Sequence, residues 1–322
     1  MSEDTGDSSE IHLAISACLL GQAVRWDGGH KRDAFLTEVL ERFVTFVPVC
    51  PEVELGLGVP RPTIRLERRG DDVRLVDPKG GHDHTDAMRK LARARVDAVG
   101  KDPDLCGWIL KKDSPSCGME RVKVYDENMV PAKTGTGAFA AVLKERLPLL
   151  PVEEEGRLHD PRLRENFYER LFAYRRLKDL FRGRWTTGDL VRFHTAEKLL
   201  LMAHDQPTYR ELGRLVAGAK GQPRAELAAR YQELFMRGLA RLATARKHVN
   251  VLQHAAGYFK QVEQEDRREL AARIEEYRQG LVPLIVPITL LRHLVRRHGV
   301  TYLAGQTYLE PHPKELLLRN HV

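Results

Sequence analysis

The spacing of apolar residues changes character once along this chain, and that change limits the fold more than any other feature. Up to about residue 150, short runs rich in β-branched and aromatic residues alternate with helical stretches. Residues 11–15, 43–49, 108–110 and 121–125 read as strands, and residues 33–42 and 85–99 as helices. Such alternation predicts an α/β domain built on a Rossmann-like, mostly parallel sheet. After residue 156 the period becomes helical throughout. Residues 162–181, 189–204, 207–217, 224–244 and 261–279 carry apolar side chains at three- and four-residue spacing, with glycines and prolines mainly between them. An all-α domain is expected there. Pro148, Pro151 and the acidic residues 153–155 punctuate the chain, which predicts domains over 1–155 and 156–322.

Charge follows the same division. Residues 1–150 hold 22 Lys and Arg against 24 Asp and Glu, whereas residues 151–322 hold 30 against 21. The overall +7 is therefore a near-neutral first part joined to a basic second part. All four cysteines lie in the first part and nine of the 13 histidines in the second. Residues 1–10 are acidic and polar, unlike a signal peptide. The longest apolar run, residues 281–291, is interrupted by Pro283 and Pro287. It falls short of the about 20 residues a membrane span needs, so a core element is expected and no membrane partner. A cytoplasmic protein is the expectation, with thiols kept reduced and available as ligands.

Three of the cysteines share a structural address. Cys18 follows the first expected strand, Cys50 the second and Cys117 the third. In an open parallel sheet the carboxyl ends of the strands share one edge, where ligands bind. Three soft ligands converging there suit zinc or an iron–sulfur cluster. The close pairs usual in structural zinc sites are absent, and iron–sulfur clusters normally take four cysteines. Unrelated reduced thiols are the plainer reading of the spacing. Cys106 precedes the third strand, roughly 15–20 Å from the ligand edge, and reads as a buried structural thiol.

The surrounding residues resemble one family closely. The segments Ile15-Ser-Ala-Cys-Leu-Leu-Gly21, Trp26-Asp-Gly-Gly-His-Lys31, Pro48-Val-Cys-Pro-Glu52, Gly58-Val-Pro-Arg-Pro62 and Ile109-Leu-Lys-Lys-Asp-Ser-Pro-Ser-Cys-Gly118 are similar to the thiouracil desulfidase (TudS) family. The helical part resembles the domain often fused to it. Its segments are Arg192-Phe-His-Thr-Ala-Glu-Lys-Leu-Leu-Leu-Met-Ala-His204, Asn250-Val-Leu-Gln-His-Ala-Ala-Gly-Tyr-Phe-Lys260, Tyr277-Arg-Gln-Gly-Leu-Val-Pro-Leu-Ile-Val-Pro287 and Gln306-Thr-Tyr-Leu-Glu-Pro311. The combination looks like the RudS-type tRNA 4-thiouridine desulfidases.

The resemblance implies a 4Fe–4S cluster on Cys18, Cys50 and Cys117, leaving one iron open. It implies hydrolytic desulfuration, in which C=S becomes C=O and sulfur leaves as hydrogen sulfide. Glu52 matches the family's catalytic Glu, placed to activate water, and the alternative is a helix cap after Pro51. Ser114 matches the family's serine and could exchange a proton with the ring nitrogen, with Ser116 ranked second. A turn-forming role is the alternative for both. Asp27 and Arg61 sit in family-like loops as substrate-pocket candidates, or form a turn and a salt bridge.

A basic helical domain suits a polyanion, so tRNA is the expected partner. Candidate contacts are Arg192, His194 and Lys198 on one helix, then Lys247, His248 and Lys260, with Arg246 beside them. His194 and Lys198 are four apart and share a helix face. A further basic cluster runs through Arg292, His293, Arg296, Arg297 and His298. Three other readings stay open: a desulfidase of free thiouracil, an iron–sulfur RNA-binding redox sensor, and a zinc-dependent hydrolase. The oligomeric state is not legible.

Overall fold

A computed structural model describes residues 10–259 and 262–321. They fall into two units that divide between His159 and Asp160. The first unit is α/β. Strands β1 (His12–Ser16), β2 (Thr45–Val49), β5 (Leu105–Leu110) and β8 (Val152–Glu154) form one sheet in the order β2-β1-β5-β8. Every pairing in it is parallel. Its central strands are buried on both faces, as a parallel sheet requires, and β5 has no exposed residue.

Strands β3 (Arg65–Arg69), β4 (Asp72–Val76), β6 (Val122–Tyr125) and β7 (Pro131–Gly135) make a second sheet, ordered β4-β3-β6-β7. The expected fourth strand is therefore real but belongs to this mixed sheet. Three helices complete the unit: α1 (Pro51–Glu54), α2 (Thr85–Gly100) and α3 (Ala138–Arg146). On α2, Met88, Ala92, Val96 and Val99 recur at three- and four-residue intervals and are buried. Phe139 of α3 packs against Trp108 of β5, ring centroids 5.6 Å apart. The stretch at 35–42 is helical but irregular, a wide turn followed by a tight one.

The order of the main sheet reverses at β1. The chain runs from β1 outward to β2, then crosses back to add β5 and β8 on the other side. A crevice opens outside the carboxyl ends at such a reversal.

The second unit is helical: α4 (Pro161–Phe181), α5 (Thr187–His204), α6 (Gln206–Ala217), α7 (Arg224–Leu239), α8 (Ala245–Ala256), α9 (Gln264–Arg278), α10 (Ile285–His298) and the short α11 (Thr301–Ala304). Their starts carry the expected chemistry. Asp160 accepts from the Arg162 and Leu163 amides ahead of Pro161, and Thr186 with Asp189 forms a reciprocal capping box. The apolar run at 281–291 enters α10, with Pro287 in its first turn and Ile288 and Leu291 in the core. A buried polar network holds the unit. Arg319 donates to Glu169 at 2.6 Å, and His204 Nε2 lies 2.9 Å from the same carboxylate. Among the described residues no helix is long and apolar enough to cross a membrane.

One close approach fixes the loop after β5. A Cβ at Gly137 would stand 2.4 Å from the Ser116 carbonyl oxygen, which accepts from the Phe139 and Ala140 amides at the start of α3. Only glycine allows this contact. Gly137→Ala should therefore lower stability by about 1–3 kcal/mol, read as a fall in the urea midpoint. Gly183→Ala, with nothing within 4 Å, should change it little.

Candidate active site

The three strand-end cysteines line one cavity of about 340 Å³ at the carboxyl edge of the main sheet. Each is delivered by a different strand. Cys18 lies two residues beyond β1, in a tight turn closed by Gly21 at φ 90°. Cys50 follows β2 directly and precedes α1. Cys117 lies beyond β5 in the loop held by Gly137. Ser16 at the end of β1 accepts from the Lys111 amide at 2.9 Å and so ties two of these strand ends together. Cys106, the second residue of β5, is at the opposite end of that strand, fully buried and away from the cavity.

Burial raises all three thiols above the usual value. Cys18 is pushed up to about 11, with the Lys111 ammonium opposing the shift. Cys50 is raised by the same loss of water. Cys117, the most enclosed, is raised well above the usual range by burial and by the neighbouring Glu52 carboxylate. Arg25, Lys31, Arg61 and Lys111 also line the cavity and supply positive charge. Three soft donors surrounded by cations suit a thiophilic metal group, whose charge would compensate for lost protons.

Glu52 is placed by its position in α1. Pro51 opens the helix, and Glu52 sits in its first turn. Its side chain does not cap the backbone. Arg61 donates to Glu52 Oε2 from Nη2 at 2.6 Å and from Nε at 3.1 Å. Arg61 also donates to the carbonyls of Gly58 and Val24, so its guanidinium is fully spanned. Glu52 Oε1 is left facing Ser114 Oγ at 3.5 Å. Ser114 Oγ accepts from the Ser116 and Cys117 amides, at 3.2 and 3.1 Å, which fixes it beside Cys117.

The two serines are separated by this geometry. Ser114 lines the cavity, while Ser116 is wholly buried behind it, its Oγ without a partner among the described residues. Asp27 does not line the cavity. It accepts from the Gly29 amide at 3.1 Å and pairs with Arg25, so it shapes the loop that presents Arg25 and Trp26. Sequence reasoning missed Trp26 and Lys111 as site residues. Trp26 is 46% exposed at the cavity wall, an aromatic face open to a flat ring. Lys111 pairs with Glu155 at the end of the neighbouring strand.

The basic candidates of the second unit scatter. Arg192 is exposed and pairs with Asp189 on its own helix. His194 is buried against Tyr231, while Lys198 lines the groove beside it. Lys247 donates to the carbonyls of His204 and Leu242, at 2.7 and 2.8 Å. His248 is buried, its Nδ1 3.0 Å from the Tyr308 hydroxyl. Lys260 lies outside the described residues.

A parallel sheet that gathers three thiols, a carboxylate and a hydroxyl at its carboxyl edge defines an α/β domain with a soft-donor site. The sequence profile of the 2-thiouracil desulfurase family matches residues 13–155, and that of a protein family of unknown function, DUF1722, matches residues 198–313. Among curated proteins, the uncharacterized YbgA of Escherichia coli (strain K12) is 35% identical over 153 residues, 47% of this chain and 90% of its own length. The uncharacterized YbbK of Bacillus subtilis (strain 168) is 31% identical over 139 residues, 41% of this chain and 89% of its own. A solved structure of the [4Fe-4S]-dependent thiouracil desulfidase TudS is 31% identical, with a TM-score of 0.36, and covers 47% of this chain and 95% of that one. The chain belongs to the 2-thiouracil desulfurase family through its first unit, with a DUF1722 domain following.

The donor set makes a direct prediction. Cobalt(II) added to the metal-free protein should give a thiolate-to-cobalt absorption band. Replacing Cys18, Cys50 or Cys117 by Ser should weaken that band, and Cys106→Ser should leave it intact. Because burial raises the thiols, the band at fixed cobalt should grow as pH rises from 6 to 8.

Proposed function

We propose that the protein removes sulfur hydrolytically from 4-thiouridine in tRNA, giving uridine and hydrogen sulfide. The observation that carries this reading is the convergence of Cys18, Cys50, Cys117, Glu52 and Ser114 on one cavity. A 4Fe–4S cluster held by the three cysteines would supply an iron without a protein ligand, thiophilic enough to take the sulfur as it leaves carbon. The named activity of the similar TudS protein supports the same cofactor.

The chain's own groups account for the rest. Trp26 offers a face on which a pyrimidine ring can lie. Arg61 holds Glu52 by one carboxylate oxygen and leaves Oε1 to take a proton from water attacking the ring carbon. Ser114, fixed by two backbone amides, is positioned to exchange a proton with the ring nitrogen, lending it as the C=S bond becomes single and recovering it as sulfur departs, so that the ring keeps its own N–H. Water supplies the oxygen of the product carbonyl, and its two hydrogens leave with sulfur as hydrogen sulfide. The excess of 30 Lys and Arg over 21 Asp and Glu in residues 151–322 supports a polyanionic carrier for the base.

Anaerobically reconstituted protein should release sulfide from tRNA containing 4-thiouridine faster than from free 4-thiouracil at equal concentration. Glu52→Gln should lower the rate by about 10²–10⁴. Equal rates on both substrates would remove tRNA as the preferred carrier. RNA binding without sulfide release would replace the enzyme by a sensor.

A further inference from the structure

The helices α5 and α6 enclose an open groove of about 710 Å³ whose lining includes His194, Lys198, Tyr209, Arg210, Gly213 and Arg214. Lys198 lies one turn beyond His194 on α5, and Arg210 and Arg214 lie one turn apart on α6, so each helix presents its charges on a single face. Among the described residues no carboxylate lines the groove, and Lys198, Arg210 and Arg214 make no ion pair or side-chain hydrogen bond.

The acids of the two helices are engaged elsewhere. Asp189 pairs with Arg192, and Glu197 with Arg176. Asp205 caps α6 through Thr208, and Glu211 takes Arg230 and Arg237. Three like charges thus face one space with nothing to neutralise them.

His194 forms the floor. It is 3% exposed, and its Nδ1 lies 3.1 Å from the Tyr231 hydroxyl. Its Nε2 is buried with no hydrogen-bond partner among the described residues. A Cβ placed on Gly213 would stand 4.0 Å from that nitrogen, so Nε2 faces across the groove to a residue without a side chain. Burial and Lys198 hold the ring down to about 4, neutral at pH 7. A Tyr231 hydroxyl donating to Nδ1 would put the ring proton on Nε2, where it has no acceptor among the described residues. Buried polar groups are almost always satisfied, and an unpaired one points to a missing partner.

We propose that this groove binds a phosphoryl group, with Lys198, Arg210 and Arg214 neutralising its charge and His194 Nε2–H donating to one of its oxygens. Gly213 leaves room for the anion, and Tyr209 offers a ring beside it to an attached nucleoside. The preferred source, a phosphodiester of RNA, rests on the function proposed above. The site itself does not.

Two arms test it on the full chain. In the first, inorganic phosphate is titrated into ¹⁵N-histidine-labelled protein, and the His194 ring nitrogens are followed by NMR. A saturable shift of Nε2 is expected in the wild type. It should be lost in Lys198→Ala/Arg210→Ala/Arg214→Ala, and in Gly213→Asp, which sets a carboxylate opposite the ring. In the second arm, tRNA affinity is measured against salt. Removing the three contacts should reduce the log–log slope by about 2. Lys90→Ala/Arg93→Ala/Lys101→Ala, the same charge removed from exposed positions of the first unit, should leave it unchanged.

A His194 response with an unchanged tRNA slope assigns the groove to free phosphate. A wild-type chain that binds no tRNA but keeps the response removes the RNA reading and leaves the site standing. No His194 response, whatever the slope, overturns the proposal.

Discussion

Parallel pairing of β1 with both β2 and β5 is the constraint on which the first unit depends. It brings the ends of three strands, far apart in the chain, to one edge. The loops that leave those ends then share a single cavity. The residues around it act to hold that edge still. Ser16 ties the end of β1 to Lys111, Gly137 clamps the loop before Cys117, and Arg61 joins Glu52 to the Val24 loop. The proposed chemistry would need such rigidity, because three ligands from three loops would hold one group while a carboxylate stayed within reach of a bound ring.

Much of this was legible in the residues because it rested on period and local chemistry. Alternating β-type runs announced the parallel sheet, and cysteines following three of them pointed to a shared edge. The second sheet was not legible in the same way. Strands β3 and β4 are rich in Arg, Glu and Asp and half exposed, so they lack an apolar run to mark them. The acidic stretch at 153–155 misled for the opposite reason. It reads as punctuation at the domain boundary, yet Glu153 and Glu154 belong to β8, and all three side chains are buried because each finds a partner. Glu153 pairs with Arg157, Glu154 accepts from the Met119 amide, and Glu155 holds Lys111 and the Lys112 amide. Composition reports charge, while burial depends on partners supplied by distant loops.

The helical unit shows the same limit. Its basic excess was readable by counting, but counting does not say which cations are free. Lys247 is tied to two carbonyls and His248 to a buried tyrosine, while Arg210 and Arg214, unremarkable in sequence, stand unpaired on a groove. His194 and Lys198 do line one groove, since residues four apart meet on a helix. What spacing could not show was the burial of His194 and the bare backbone of Gly213 opposite it.

The account turns on which thiols hold metal, and iron and acid-labile sulfide counted per chain after anaerobic reconstitution tests that most directly. It predicts about four of each in the wild type and in Cys106→Ala, and loss of the intact cluster on replacing Cys117. Loss of iron in Cys106→Ala, or an undiminished count without Cys117, would contradict it.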